Sequence, residues 1–369
     1  MKKIFALLLA LVMMRSLAAC GGSEENTVSD VAVAMVTDYG DITDQSFNQT
    51  TYEACKEFCE AEGLTFEYFK PATDSDDDRI AMIENAIDSG YNVVVLPGFA
   101  FANAIIATAD NYPEVKFVAL DVSEFDLTGN GWTIPENVYS AVYQEEISGY
   151  FAGYAAVKLG YTKLGYCGGM AVPAVLRFGY GFLQGADAAA VETGADVSVV
   201  WGYANQFYGD ADITAVRDTW YGEGTDLVFA CGGGVYTSVA EAAAKVGGKV
   251  IGVDVDQSFN IDATYGEDMT VTSAMKGLAP TVKELLRRIV AGEFVGGQVE
   301  NLGLVSEVSE ENYVQLPSTT QWSDSFTEDD YNALVAAIYN GEIVVNNSID
   351  GTAADYVTVV SVNDLGNLK

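Results

Sequence analysis

The sequence predicts an α/β protein with two units of similar size, each a doubly wound parallel sheet, facing one another across a cleft. Three observations predict it. Short apolar runs alternate with helical patterns in two successive series, the signature of β-α-β units. No long linker separates the two series. Three of the runs stop at an aspartate, Asp38, Asp121 and Asp254, and the carboxyl ends of parallel strands are where open α/β sheets place ligands.

The first series starts with Val31–Val36, an unbroken and β-branched run short enough for a strand buried on both faces. Ser46-Phe47-Asn48 then opens a helix that runs to about Gly63. Leu64–Phe69 is the second strand, and the charge run Asp74–Asp78 leads into a helix over Arg79–Ser89, with Ile80, Ile83 and Ile87 on one face. Asn92–Leu96, the helix Ala100–Asn111, Val115–Leu120 and Asn137–Tyr143 complete the series. The second begins with a helix over Glu145–Leu159, which carries small residues on one side (Gly149, Ala152, Gly153, Ala156). Lys163–Cys167, Val197–Trp201, Asp226–Ala230 and Lys249–Val253 are its strands, with helices over Val172–Ala190, Asp210–Tyr221 and Val235–Val246 between them. Thr270–Ser273 is one more short strand, and Lys276–Ala291 a helix. Val314–Leu316 and the helix Thr327–Asn340 come next, the latter with Asp329 and Asp330 in its first turn. Tyr356–Val362 reads either as an added edge strand or as a tail with no fixed place.

The 369-residue chain has 18 basic and 53 acidic residues and no histidine. Such a surface repels nucleic acid and anionic membrane, and histidine-based catalysis and metal ligation are excluded. Lys2-Lys3 followed by the apolar run Ile4–Met14 fits a signal peptide and is too short to span a bilayer. Leu17-Ala18-Ala19-Cys20 resembles a bacterial lipobox, with Cys20 the lipidated residue, although Arg15 departs from the usual pattern. Cleavage before Cys20 removes Lys2, Lys3 and Arg15 and no acidic residue, taking the net charge from −35 to −38. Cys55 and Cys59 share a helix face, a poor geometry for a disulfide. They read as small buried hydrophobes, with a two-cysteine metal site the weaker alternative.

The strand-end carboxylates suit a ligand with several hydroxyl or amide N–H groups, because ionised carboxylates only accept; the plainer reading is that each caps a turn. Phe47, Tyr203, Phe207 and Tyr208 lie in loops after strands, where two rings could sandwich a flat base or a sugar face or simply pack. Gly232–Gly234 sits between a strand and a helix without a phosphate-loop motif. Close approach of backbone to a ligand or tight packing explains these glycines as well. Lys276 is an unfavourable cation at a helix start, and so either donates to a ligand or sits in a structural ion pair.

The lipobox, VTDYGDITDQSFNQ, VVVLPGFAF, VKFVALD, NVYSAVYQEEISGYFAGYAAV, LGYCGGMAVPAVLRFGYGFLQGA, VFACGGG, VIGVDVDQ, TSAMK and NGEIVVNN, in that order, resemble the basic membrane protein family. Members are lipid-anchored substrate-binding components of ABC importers, and many bind purine or other nucleosides. The resemblance runs from Met1 to Asn347. It implies a two-lobed periplasmic-binding-protein type I fold with the ligand in the interlobe cleft. By this resemblance Asp38 and Asn48 bond the base, and Phe47 stacks on it with Phe207 or Tyr208. Asp121 adds polar contacts, and Gly232, Gly233, Asp254 and Lys276 hold the ribose. Asp41 and Gln45 depart from the family pattern.

The expected organisation is a signal peptide over 1–19, a lipidated tether over 20–30, and a first lobe of 31–142 with 274–298. The second lobe is 143–273 with 299–347, and a tail over 348–369 completes the chain. The hinge is expected near Tyr143–Glu145 and Thr272–Ala274. The expected function is that of a monomeric extracytoplasmic receptor, lipid-anchored to the cell membrane, that hands a nucleoside to an ABC permease without cofactor, metal or catalysis. The alternatives are a receptor for another small polar ligand such as a sugar, or a surface nucleoside hydrolase using the aspartates.

Overall fold

The computed structural model describes residues 30–38 and 40–368; the expected signal peptide, Cys20 and all of the tether but Asp30 lie outside them. Hydrophobic runs become strands in register. The first sheet contains β1 (Ala32–Val36), β2 (Thr65–Phe69), β3 (Val93–Pro97), β4 (Lys116–Leu120), β5 (Val138–Tyr143) and β11 (Gln298–Leu302), in the spatial order β11-β5-β4-β3-β1-β2 and parallel throughout. Its crossovers carry α1 (Phe47–Glu62), α2 (Asp76–Asp88), α3 (Ala102–Thr108) and α4 (Glu124–Thr128). Cys55 and Cys59 are fully buried free thiols on α1, and burial raises both above the usual thiol range.

The second sheet contains β6 (Lys163–Gly168), β7 (Ser198–Tyr203), β8 (Leu227–Cys231), β9 (Lys249–Asp254), β10 (Thr270–Lys276), β12 (Val314–Gln315) and β13 (Ser361–Asn367). The order is β12-β10-β9-β8-β6-β7-β13, parallel except for β12. Around it lie α5 (Glu145–Lys158), α6 (Pro173–Thr193), α7 (Ala211–Gly222), α8 (Tyr236–Ala244), α9 (Ser258–Tyr265) and α11 (Glu328–Tyr339), while α10 (Leu278–Val290) connects β10 to β11. The small residues of α5 have a packing reason. A Cβ on Gly149 would lie 2.0 Å from the Phe178 carbonyl oxygen, and one on Gly181 of α6 would lie 2.0 Å from that of Glu146. The two helix backbones therefore touch.

The chain crosses between the sheets three times, and these crossings are joined by backbone hydrogen bonds. Gln144 N donates to Leu302 O (2.9 Å), Tyr313 N to Gly303 O (3.0 Å) and Gly277 N to Tyr313 O (2.7 Å). Four expectations are corrected here. Lys276 ends a strand and does not start a helix, because β10 continues through it beside Asp254. The second crossing therefore falls at Gly277, beyond the expected Thr272–Ala274, and residues 274–276 belong to the second sheet. Residues 299–302 belong to the first sheet, because Gln298–Leu302 pairs with Tyr139–Tyr143. The tail forms an edge strand over Ser361–Asn367, displaced along the sequence from Tyr356–Val362.

Candidate functional site

The carboxyl ends of the two sheets enclose a cavity of about 500 Å³. All nine expected ligand-binding residues line it: Asp38, Phe47, Asn48, Asp121, Phe207, Gly232, Gly233, Asp254 and Lys276. Asp121 directly follows β4 in the first sheet and Asp254 ends β9 in the second. Both have left-handed backbones, with φ of 61° and 67°. Aspartate tolerates that conformation better than most residues, and it gives each lobe a carboxylate at the mouth of a central strand.

Lys276 sits between them. Its Nζ donates to Asp121 Oδ2 at 2.5 Å and lies 3.4 Å from Glu145 Oε1 and 3.7 Å from Asp254 Oδ1. Three rings face the same ammonium, Phe47 at 4.7 Å, Tyr143 at 5.4 Å and Phe178 at 5.7 Å from their centroids. Burial alone would lower the lysine pKa, but Asp121, Asp254 and Glu145 outweigh it and hold the group above the usual amine range. Burial pushes the Asp121 carboxyl up to about 6 against the opposing pull of Lys276, and raises Asp254 likewise. Glu145 is fully buried and also accepts from Arg177 Nε at 2.6 Å. The cluster thus sets two cations against three carboxylates, an excess of acceptors that favours a ligand bringing hydroxyl or N–H donors.

The loop before α1 divides its tasks. Asp44, not Ser46, caps the helix: its carboxylate accepts from the backbone N–H groups of Ser46, Asn48 and Gln49 and from Asn48 Nδ2. Burial raises its pKa despite these bonds. Ser46 Oγ is left to donate to Asp254 Oδ2 at 2.6 Å, across the cleft. Asn48 is only 7% exposed, and its Oδ1 is buried with no hydrogen-bond partner among the described residues, as is Asp121 Oδ1. Unsatisfied buried acceptors beside a cavity are where a ligand N–H or O–H gains most. Asp38 accepts from Gly40 N at 2.8 Å.

The second aromatic wall is Phe207. A Cβ on Gly169 would lie 2.6 Å from its ring, and one on Gly232 would lie 2.7 Å from the Gly169 Cα, so glycine is what lets this ring and the β8 turn lie together. Gly234 N donates to Phe207 O at 2.9 Å. The glycine run is therefore built around the aromatic loop, and one of its N–H groups is already engaged, which argues against a phosphate cradle. Tyr208 also lines the cavity but is 62% exposed. Sequence reasoning missed Glu145, Arg177, Phe178 and Tyr143 as members of the cluster. The acidic start of α5 was the one visible signal. Among the described residues no three or more His, Cys, Asp or Glu side chains are arranged so that they could hold a metal ion, and no helix is long and apolar enough to cross a membrane.

Comparison with known proteins agrees with this architecture. Residues 31–349 match the sequence model of the Bmp family, described as ABC transporter substrate-binding protein PnrA-like. The chain is 31% identical over 318 residues to the ABC transporter nucleoside-binding protein BmpA of Lactococcus lactis subsp. cremoris, covering 80% of this chain and 87% of that protein. It is 26% identical over 304 residues to an uncharacterized lipoprotein of Pyrococcus furiosus, covering 80% and 73%. Among solved structures, an ABC transporter system solute-binding protein from Aeropyrum pernix K1 superposes with a TM-score of 0.66 at 22% identity, covering 86% of this chain and 88% of that one. This last likeness shows the two-lobed binding-protein fold.

Proposed function

The chain belongs to the Bmp family of PnrA-like ABC transporter substrate-binding proteins, and we propose that it is an extracytoplasmic receptor that closes on a nucleoside, preferably a purine nucleoside, and passes it to a permease. The observation that carries this reading is one aromatic ring from each lobe, Phe47 and Phe207, lining a single cavity with the Asp121–Lys276–Asp254 cluster. A base needs flat apolar faces, and a ribose needs clustered acceptors and a donor. Lys276 covers one face of Phe47, which leaves the other for the base. Asp38 and the free Oδ1 of Asn48 take base N–H groups. Asp121, Asp254 and Lys276 take ribose hydroxyls, against the backbone at Gly232 and Gly233. The surplus of carboxylates repels a phosphate, so the ligand is a nucleoside and not a nucleotide. The L. lactis relative, named as nucleoside-binding, supports the same choice.

In this reading the ligand is returned unchanged, Cys20 carries the lipid anchor, and the protein works as a monomer on the outer face of the membrane. Closure turns on the three crossings at Gln144, Gly277 and Gly303. The test is a thermal-shift screen of refolded residues 21–369 against nucleosides, free bases and ribose. A ligand at about 100 times its Kd adds roughly 2.7 kcal/mol to the folded state. A rise with purine nucleosides that free base and ribose do not reproduce supports the reading. A flat response to every nucleoside overturns it.

A further inference from the structure

The family match ends at residue 349, and the C-terminal segment beyond it runs back to the end of β7, where the loop carrying Phe207 begins. We propose that residues 350–368 are a positioning element for the loop that presents Phe207 and Tyr208, an inference that rests on the ligand reading above only for its affinity arm. The segment is anchored at three places. Asp187 Oδ1 accepts from the backbone N–H groups of Thr358, Val359 and Val360 at 2.8, 2.8 and 3.0 Å. Tyr356 stacks on Tyr180 at 4.1 Å between ring centroids and 15° between planes. Tyr180 stacks on Trp201 at 5.8 Å, and Trp201 on Tyr166 at 4.0 Å. This column of four rings ends at a hydroxyl that donates to the carbonyl of Val175, a residue of the cavity wall.

The third anchor meets the loop itself. β13 runs parallel to β7 until Asn367 faces Tyr203, the last residue before the loop. Leu368 N donates to Tyr203 O at 3.0 Å, and a Cβ on Gly202 would lie 2.5 Å from Leu368 Cδ1. On its inner side the loop is tied to β6, through Ala204 N to Gly168 O (2.8 Å) and Asn205 N to Gly169 O (2.9 Å). The tail supplies the outer side. Without it, the β7 end is a sheet edge and the base of the Phe207 loop is held on its inner side only, so part of the loop's order must be gained at the moment of binding.

The test compares the full chain with one ending at Asp364, which loses the pairing with Tyr203 but keeps the Asp187 and Tyr356 anchors. Two readouts are taken, amide hydrogen exchange at residues 204–210 and affinity for the best nucleoside. The expected result is exchange faster by about tenfold in that loop and affinity weaker by about tenfold, with exchange in β1 and β4 unchanged. A lower melting temperature with loop exchange and affinity unaltered overturns the proposal and leaves an ordinary edge cover. If the shortened chain does not fold, Leu368→Ala in the full-length chain is read in the same way. If the full chain binds no nucleoside, that reading fails by itself, and the exchange measurement still decides this one.

Discussion

Ser46 and Asp254, 208 positions apart in the chain, share a hydrogen bond of 2.6 Å that ties the first helix of one lobe to a strand end of the other. Two further side-chain bonds cross the cleft beside it. Gln257 Nε2 donates to Gln45 O at 3.1 Å, and Lys276 to Asp121 at 2.5 Å. The acceptor is a carboxylate, so the Ser46 bond is worth about 1.5–3 kcal/mol to the closed arrangement. Ser46→Ala is therefore expected to shift ligand-stripped protein towards the open form. Small-angle scattering checks it: the radius of gyration of the variant exceeds that of the parent and falls again on nucleoside addition. Equal radii for both stripped proteins defeat the prediction.

Lys276→Met tests the cluster itself. The substitution leaves Asp121 and Asp254 buried without their shared cation, a change that costs about 3–5 kcal/mol. The lysine's folded pKa lies above its unfolded value, so its stabilisation is complete at neutral pH and lost only in strongly alkaline solution. Its removal lets Asp121 and Asp254, already raised by burial, rise further. A folded state that holds extra protons gains stability as pH falls. The deficit of the variant, measured by urea unfolding, is thus expected to be larger at pH 7.5 than at pH 5. A deficit independent of pH would mean that lost packing, not stranded charge, is responsible.

Much of the fold is legible in the sequence because the central strands are buried on both faces and read as continuous apolar runs, as in Phe117, Val118, Ala119 and Leu120. The elements that escape lack that property. β11, Gln-Val-Glu-Asn-Leu, is an edge strand with no fully buried residue, and α9 buries only Ile261. Lys276 reads as a helix start because β10 keeps a charged residue at its end, and the burial of that charge depends on Asp121, 155 positions away. Types and positions of the cavity residues are readable from strand ends. Their partners are not, because the bonds that close the cleft join residues of different lobes, far apart in the sequence. Ser46 illustrates it: the sequence offers Asp44 or Ser46 as the helix cap, Asp44 performs that task, and nothing local points to the Ser46 bond with Asp254.

Glu146, beside the first crossing, gives a pH dependence of its own. Burial, with a further push from Glu145, raises its carboxyl to about 7 while Arg177 pulls the other way, and its Oε2 has no hydrogen-bond partner among the described residues. The folded value lies above the unfolded one, so the folded state binds the proton more tightly. Stability therefore falls as pH rises from about 4.5 to 7 and levels off above, a loss of about 3–3.5 kcal/mol. Glu146→Gln removes this dependence. The variant is expected to be more stable than the parent at pH 8 and to approach it near pH 4.5, as measured by urea unfolding. Parallel pH profiles for the two proteins contradict this.

The stacking role separates two neighbouring rings. Phe207 is half-buried, seated against Gly169 and Gly232, and its backbone carbonyl is bonded to Gly234. Tyr208 is 62% exposed and loses more side-chain freedom if it is ordered on a ligand. A base stacked on an aromatic side chain gains about 1–3 kcal/mol. Phe207→Ala is therefore expected to weaken nucleoside binding by about 5- to 150-fold, and Tyr208→Ala by less than about threefold. Calorimetric titration of both variants reads the difference directly. The reverse order would assign the stacking face to Tyr208 and make Phe207 a packing residue of its loop.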